Sequence, residues 1–159
     1  MAKVYGLKQC YVPVRETYSQ TIISYSMTPE PDGVHATWYE VYFNKKEVQK
    51  PSLEQIKDAV ISDINARVKE SIISGFVWNG HPVWLSQENQ LNFTNATAPV
   101  TLKIGEQEDG TAVYEDFVDA DQLAAFCTAC NNHKQNTLTA GWQEKDGIDW
   151  SPYEQYFNE

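Results

Sequence analysis

The stretch from Pro51 to Gly75 limits the fold more than any other segment, because its pattern can be satisfied in only one regular way. Leu53, Ile56, Val60, Ile64, Val68 and Ile72 recur at spacings of three and four, which gathers them into one stripe on an α-helix. Ser52 stands at the N-cap and Gln55, three residues on, completes a capping box; Pro51 and Ile56 occupy the positions of a hydrophobic staple. Gly75 marks the end. The opposite face carries Lys57, Asp58, Asp63, Arg67, Lys69 and Glu70, so the helix is amphipathic and needs a covering surface. Two coverings fit. One is the chain's own sheet; the other is a second copy or another protein, through a coiled-coil or bundle seam for which three heptads are barely enough.

Ahead of this helix the chain is β-rich. Val34 to Phe43 is β-branched or aromatic at nearly every position, which predicts a strand with both faces at least partly covered. The turn residues Pro29, Pro31, Asp32 and Gly33 precede it, and Tyr18 to Met27 reads as its hairpin partner. Behind the helix, Asn79-Gly80 sits between aromatic and β-branched runs in Phe76 to Leu85, the pattern of a hairpin with a type I′ turn. Ser86 predicts the cap of a short helix over Gln87 to about Asn95. Val100 to Ile104 and Thr111 to Phe117 predict a second hairpin around Asp109-Gly110. A long helix begins at Asp119, where Gln122 completes another capping box and Val118 faces Leu123 as a staple; Leu123, Phe126, Cys127, Cys130 and Leu138 mark its buried side. From Gly141 onward the chain reads as an aromatic tail with Trp142, Trp150, Tyr153, Tyr156 and Phe157, which should dock on the body or on a partner. The expected class is α+β: an N-terminal β-rich arm over residues 1–50, then a domain over 51–159 with an amphipathic helix, two hairpins, a long C-terminal helix and the tail.

Composition excludes several roles. Aromatics at 13% supply enough apolar area to drive collapse, so the chain is not wholly disordered. Twelve Lys plus Arg against 22 Asp plus Glu give a formal charge of −10, which repels a phosphate backbone; no nucleic-acid partner is expected. No stretch approaches the ~20 apolar residues of a membrane helix, so no membrane association is expected. Met1 to Cys10 lacks the apolar core and cleavage site of a secretory signal, which leads to an expectation of synthesis in cytoplasm.

Cys127 and Cys130, with His133 three residues further on, form the one cluster resembling a chemical site. They would supply three zinc ligands from one helix, with His81, His35 or Cys10 left to provide the fourth. A redox role would need the first cysteine at the helix N-terminus, and Cys127 lies two turns inside. Packing as small buried hydrophobes accounts for the pattern more simply. The acidic groups Glu106/Glu108 and Glu115/Asp116/Asp119 lack the spacing of a calcium loop and read as a solvated face. No residue is assigned a catalytic, cofactor-binding or metal-ligating role, no cofactor is expected, and the chain is read as a non-enzyme. The interaction surface is assigned instead to Leu53, Ile56, Val60, Ile64 and Val68 on the helix and to Trp150, Tyr153, Tyr156 and Phe157 in the tail.

The order of motifs, from Phe76-Val-Trp-Asn-Gly-His-Pro-Val-Trp-Leu85 through a short polar helix, a strand pair ending in Tyr114-Glu-Asp-Phe117, a helix past His133 and an aromatic close at Trp150, resembles a domain family of unknown function. That family recurs in tailed phages and prophages of gut bacteria, often encoded near tail or fibre genes, and the likeness covers roughly residues 52–159. The segment from Trp38 to Lys57 is similar to the β leader that often precedes the domain. The resemblance brings no catalytic residues with it. It implies a virion structural protein, a tail, fibre-associated or capsid-associated adaptor subunit made in the host cytoplasm. Its partners would be other phage structural proteins or fibre, in a homo- or hetero-oligomer. The alternatives it leaves open are a tail-fibre assembly chaperone and a host-surface glycan-binding module in which Trp84 or Trp142 would stack on sugar rings.

Overall fold

A computed structural model of the chain describes residues 2–157. The fold is α+β, as the sequence predicts. The elements run β1 (Ala2–Leu7), a 3₁₀ turn (Lys8–Cys10), β2 (Val14–Glu16), β3 (Gln20–Pro29), β4 (His35–Asn44), α1 (Leu53–Ser74), β5 (Phe76–Trp78), β6 (His81–Val83), α2 (Gln87–Asn95), β7 (Val100–Glu106), β8 (Ala112–Phe117), α3 (Ala120–Asp146) and α4 (Ser151–Gln155). The chain divides into two compact units, one of Met1–Asn65 with Gln143–Glu159 and one of Ala66–Trp142. This division differs from an arm over 1–50 followed by a domain over 51–159. The end of the chain folds with the N-terminal strands, because its aromatic rings find their hydrogen-bond partners there.

In the first unit the sheet is antiparallel, in the order β1-β4-β3-β2. The expected β3–β4 hairpin forms with Tyr25 opposite Tyr39 and Ile23 opposite Val41. Its turn is held by Asp32, whose carboxylate accepts from the backbone N–H of His35 at 2.9 Å and of Val34 at 2.8 Å. Those bonds to the charged form pull the Asp32 pKa down to about 2. β3 carries a bulge after Tyr25, where Ser26 takes a φ of +52° and donates its hydroxyl to Glu144 at 2.8 Å. Both faces of the central strands are covered: Ile23 and Tyr25 on one, Ile22, Ser24, Trp38 and Glu40 on the other. The Glu40 carboxylate is buried but satisfied, accepting from the Trp38 indole at 3.2 Å and the Tyr42 hydroxyl at 2.8 Å. α1 begins at its predicted capping box, with Gln55 N–H to Ser52 Oγ at 3.1 Å and Ser52 N–H to Gln55 Oε1 at 2.8 Å. Its residues Ile56, Val60 and Ile64 are fully buried, and Asp63 accepts the Tyr25 hydroxyl.

The second unit is built from both hairpins, α2 and most of α3. Asn79 and Gly80 have φ of +50° and +79°, the two positive values a type I′ turn demands. Ser86 caps α2 by accepting from Asn89 N–H at 3.2 Å. A Cβ on Gly105 would lie 2.3 Å from the Pro82 carbonyl oxygen, so this residue is what lets β6 and β7 run close together. The core is Val83, Leu85, Phe93, Ile104, Val113, Phe117, Leu123, Phe126 and Cys130. Phe126 is its hub, in edge or tilted contact with Trp78, Phe93 and Phe117 at 5.0–5.3 Å between ring centroids.

Two expectations for the last long helix are corrected. Gly141 and Trp142 do not open the tail; α3 continues through them to Asp146. Gly141 is retained inside a helix because a Cβ there would come 2.4 Å from Val68 Cγ2 of α1. The staple at the N-terminus is also absent: Val118 is 64% exposed, although Asp119 does cap Gln122 N–H at 2.9 Å. The Gln122 side chain reaches one residue further back than in a capping box, to Val118 N–H at 3.3 Å.

Candidate functional site

The cysteine cluster separates into unrelated roles. Cys130 is buried in the core, and burial pushes its thiol up to about 12; Cys127 is raised for the same reason and donates to the Phe93 carbonyl at 3.4 Å. His133 turns elsewhere, with Nε2 2.8 Å from the Ser71 carbonyl oxygen and its ring stacked on Phe76 at 5.2 Å. Thiols held protonated are poor nucleophiles and poor ligands. Among the described residues no three His, Cys, Asp or Glu side chains gather to hold a metal ion.

The assigned interaction residues do not form one surface. Ile56, Val60 and Ile64 are fully buried inside the first unit, so they offer no area to a partner. The reason is the amphipathic pattern itself, whose apolar stripe the chain buries within its own first unit. Leu53 and Val68 are half-buried, Val68 against Gly141. The tail likewise docks on its own chain. Tyr153 is buried and donates to the Ser24 carbonyl at 2.5 Å, where the Tyr11 hydroxyl also donates at 3.2 Å. Tyr156 donates to Glu16 at 2.6 Å, and the Lys50 ammonium lies over the rings of Tyr156 and Phe157 at 4.7 and 5.5 Å. Trp150 receives Lys57 at 5.6 Å. Burial raises the Tyr153 pKa well above the ordinary phenol range, and burial with the Glu16 bond lifts Tyr156 to about 12.

Two other regions remain open. In the first unit β1 is an edge strand of the sheet, with Lys3, Tyr5 and Leu7 exposed and Ala2, Val4 and Gly6 half-buried. Tyr5 is 63% exposed and stacks on His35 at 5.1 Å; Leu7 and Val34 line a shallow hollow beside it. The signal for this strand in the sequence is the alternation in Ala2–Leu7 of small or β-branched residues (Ala2, Val4, Gly6) with larger ones (Lys3, Tyr5, Leu7). In the second unit Trp84 is 49% exposed and forms a wall shared by two grooves of about 750 and about 810 Å³. Glu106 and Gln107 line both grooves, and Asn89 and Asn92 of α2 line the first. The chemistry such a groove offers is stacking plus amide and carboxylate hydrogen bonding.

No helix among the described residues is long and apolar enough to cross a membrane. No curated protein and no solved structure matches the chain. A family model described as "Domain of unknown function (DUF4376)" matches residues 55–157, most of α1 through α4, and the chain belongs to that family.

Proposed function

We propose that this chain is a structural subunit of a tailed-bacteriophage particle, a tail, fibre-associated or capsid-associated adaptor that works through protein–protein contacts. The phage setting rests on the resemblance of residues 52–159 to a domain that recurs beside tail and fibre genes. The observation that carries the contact role is the open edge of β1. Its unpaired backbone groups can accept a further strand, and Tyr5, Leu7 and Val34 place an apolar patch beside that edge. A subunit that joins others by strand addition uses main-chain hydrogen bonds for affinity and flanking side chains for choice of partner. Its partners are other structural proteins of the particle or the fibre, and it is made in the host cytoplasm before assembly.

Mass spectrometry of purified particles from a culture carrying the gene tests the assignment. The expected result is the chain in stoichiometric amount relative to known particle proteins. Absence from mature particles combined with co-purification with unassembled fibre would replace it with an assembly chaperone. Substituting Tyr5→Lys should lower incorporation into particles without unfolding the chain, since the ring it removes is mostly solvent-exposed.

A further inference from the structure

We infer that the groove beside Trp84 is a binding site for neutral hexopyranose sugars. The inference stands on the second unit alone and does not depend on the β1 edge or on the phage setting. Trp84 follows β6, and its backbone is pinned on both sides. Its N–H donates to the Ile104 carbonyl at 2.7 Å, and its own carbonyl accepts from the Asn89 side-chain amide at 2.7 Å. The backbone that carries the indole is therefore held in place while about half of the residue faces water, which suits a stacking platform.

The lining chemistry selects the ligand. A pyranose has one face of C–H bonds whose positive edges match the negative face of an aromatic ring. Its rim of hydroxyls each donates and accepts, so it is best met by side-chain amides, which do both, and by carboxylates, which accept. Both kinds are present. Among the described residues, the side chains of Asn92 and Glu88 make no hydrogen bond, and Asn89 Oδ1 accepts none. Glu106 accepts from Lys103 at 2.9 Å through one oxygen and keeps the other. The volume of about 750 Å³ falls inside the ~300–1,000 Å³ of small-molecule sites.

Charge narrows the class further. Glu88 and Glu106 supply two negative charges, and the groove's one lysine, Lys103, is paired with Glu106. Phosphorylated and acidic sugars are therefore repelled, and neutral ones are not. A protein segment seeking an apolar seat would find Phe93 and Leu102 besides Trp84, set among seven polar side chains.

Titrating isotope-labelled full-length protein with lactose, chitotriose and sialyllactose, followed by amide NMR, tests this. Lactose or chitotriose should shift the Trp84 indole signal and the Asn89 and Asn92 side-chain amides, with roughly millimolar affinity. Trp84→Ala should weaken that binding about tenfold, equivalent to the ~1.4 kcal/mol of a stacked ring. Asn92→Ala, at an exposed position with no bond to lose, should weaken it a few fold and leaves the fold out of the question. Three results would each overturn the site: no shift with either neutral sugar at about 50 mM, sialyllactose binding as tightly as lactose, or binding that survives Trp84→Ala undiminished. None of these bears on whether the chain is found in particles, so the two proposals fail separately.

Discussion

The two units hold themselves together by different means. In the first, long-range hydroxyl bonds join distant segments: Tyr25 to Asp63, Tyr153 and Tyr11 to the Ser24 carbonyl, Tyr156 to Glu16. Its buried residues include Thr21, Ser24 and Glu40. In the second, the core is apolar and converges on one ring, Phe126. Hydrogen bonds are directional and leave a penalty when one partner is lost, whereas packed rings depend on volume. The first unit should thus be sensitive to which polar atoms are present, and the second to shape.

The largest effect belongs to the ring hub. Phe126→Ala should cost about 3–5 kcal/mol in denaturant unfolding, because truncation leaves a cavity that three neighbouring rings cannot fill. A cost below that of any hydroxyl deletion in the first unit would break the contrast.

Gly141→Ala comes next. Added helix propensity favours alanine by about 1 kcal/mol, but the new methyl meets Val68 Cγ2 at 2.4 Å, and β-branched Val68 is stiff within its helix. Overpacking of about 1–3 kcal/mol should win, for a net loss of about 1 kcal/mol. Adding Val68→Ala should give a favourable coupling in a double-mutant cycle; strict additivity would mean that the close approach carries no strain.

Tyr153→Phe should cost about 1 kcal/mol, near the low end for a buried bond, since the Ser24 carbonyl keeps the Tyr11 hydroxyl. Deleting both hydroxyls should cost more than the two single losses combined, because only then is the carbonyl left bare. An additive result would show that the shared acceptor is incidental.

The smallest effect is one of pH. Tyr156 is kept as the neutral phenol by the fold, with its pKa raised to about 12, while an unfolded tyrosine ionises near ~10. Its contribution is whole below ~10 and is lost as pH climbs through about 12. Thermal stability followed over that window should fall less steeply in Tyr156→Phe, which has no proton to lose. Parallel declines in the two proteins would remove Tyr156 from the account.

Features that depend on a few neighbouring residues were legible beforehand. The Ser52/Gln55 capping box, the Asn79-Gly80 turn and the Ser86 cap each form where the local pattern puts them, since a cap or a tight turn is decided within four residues. The stripe on α1 was equally plain as a stripe. What covered it was not, because periodicity states that a face must be buried and is silent about by what. Gly141 is illegible for the same reason: glycine commonly ends a helix, and only Val68 across the way shows why it sits inside one. The Trp84 groove had one visible sign, an aromatic beside a turn. Its amides come from α2 and its far wall from the end of β7, so no spacing along the chain predicted their meeting.

By itself, then, the amino-acid order determined the α+β class, the starts of α1, α2 and α3 and the three hairpins, all set by interactions among near neighbours. Tertiary structure decided the sheet order, the docking of the final rings onto the N-terminal strands and the choice of side chains left facing water. Those outcomes depend on which distant surfaces meet, and an exposed ring differs from a buried one only in what lies against it.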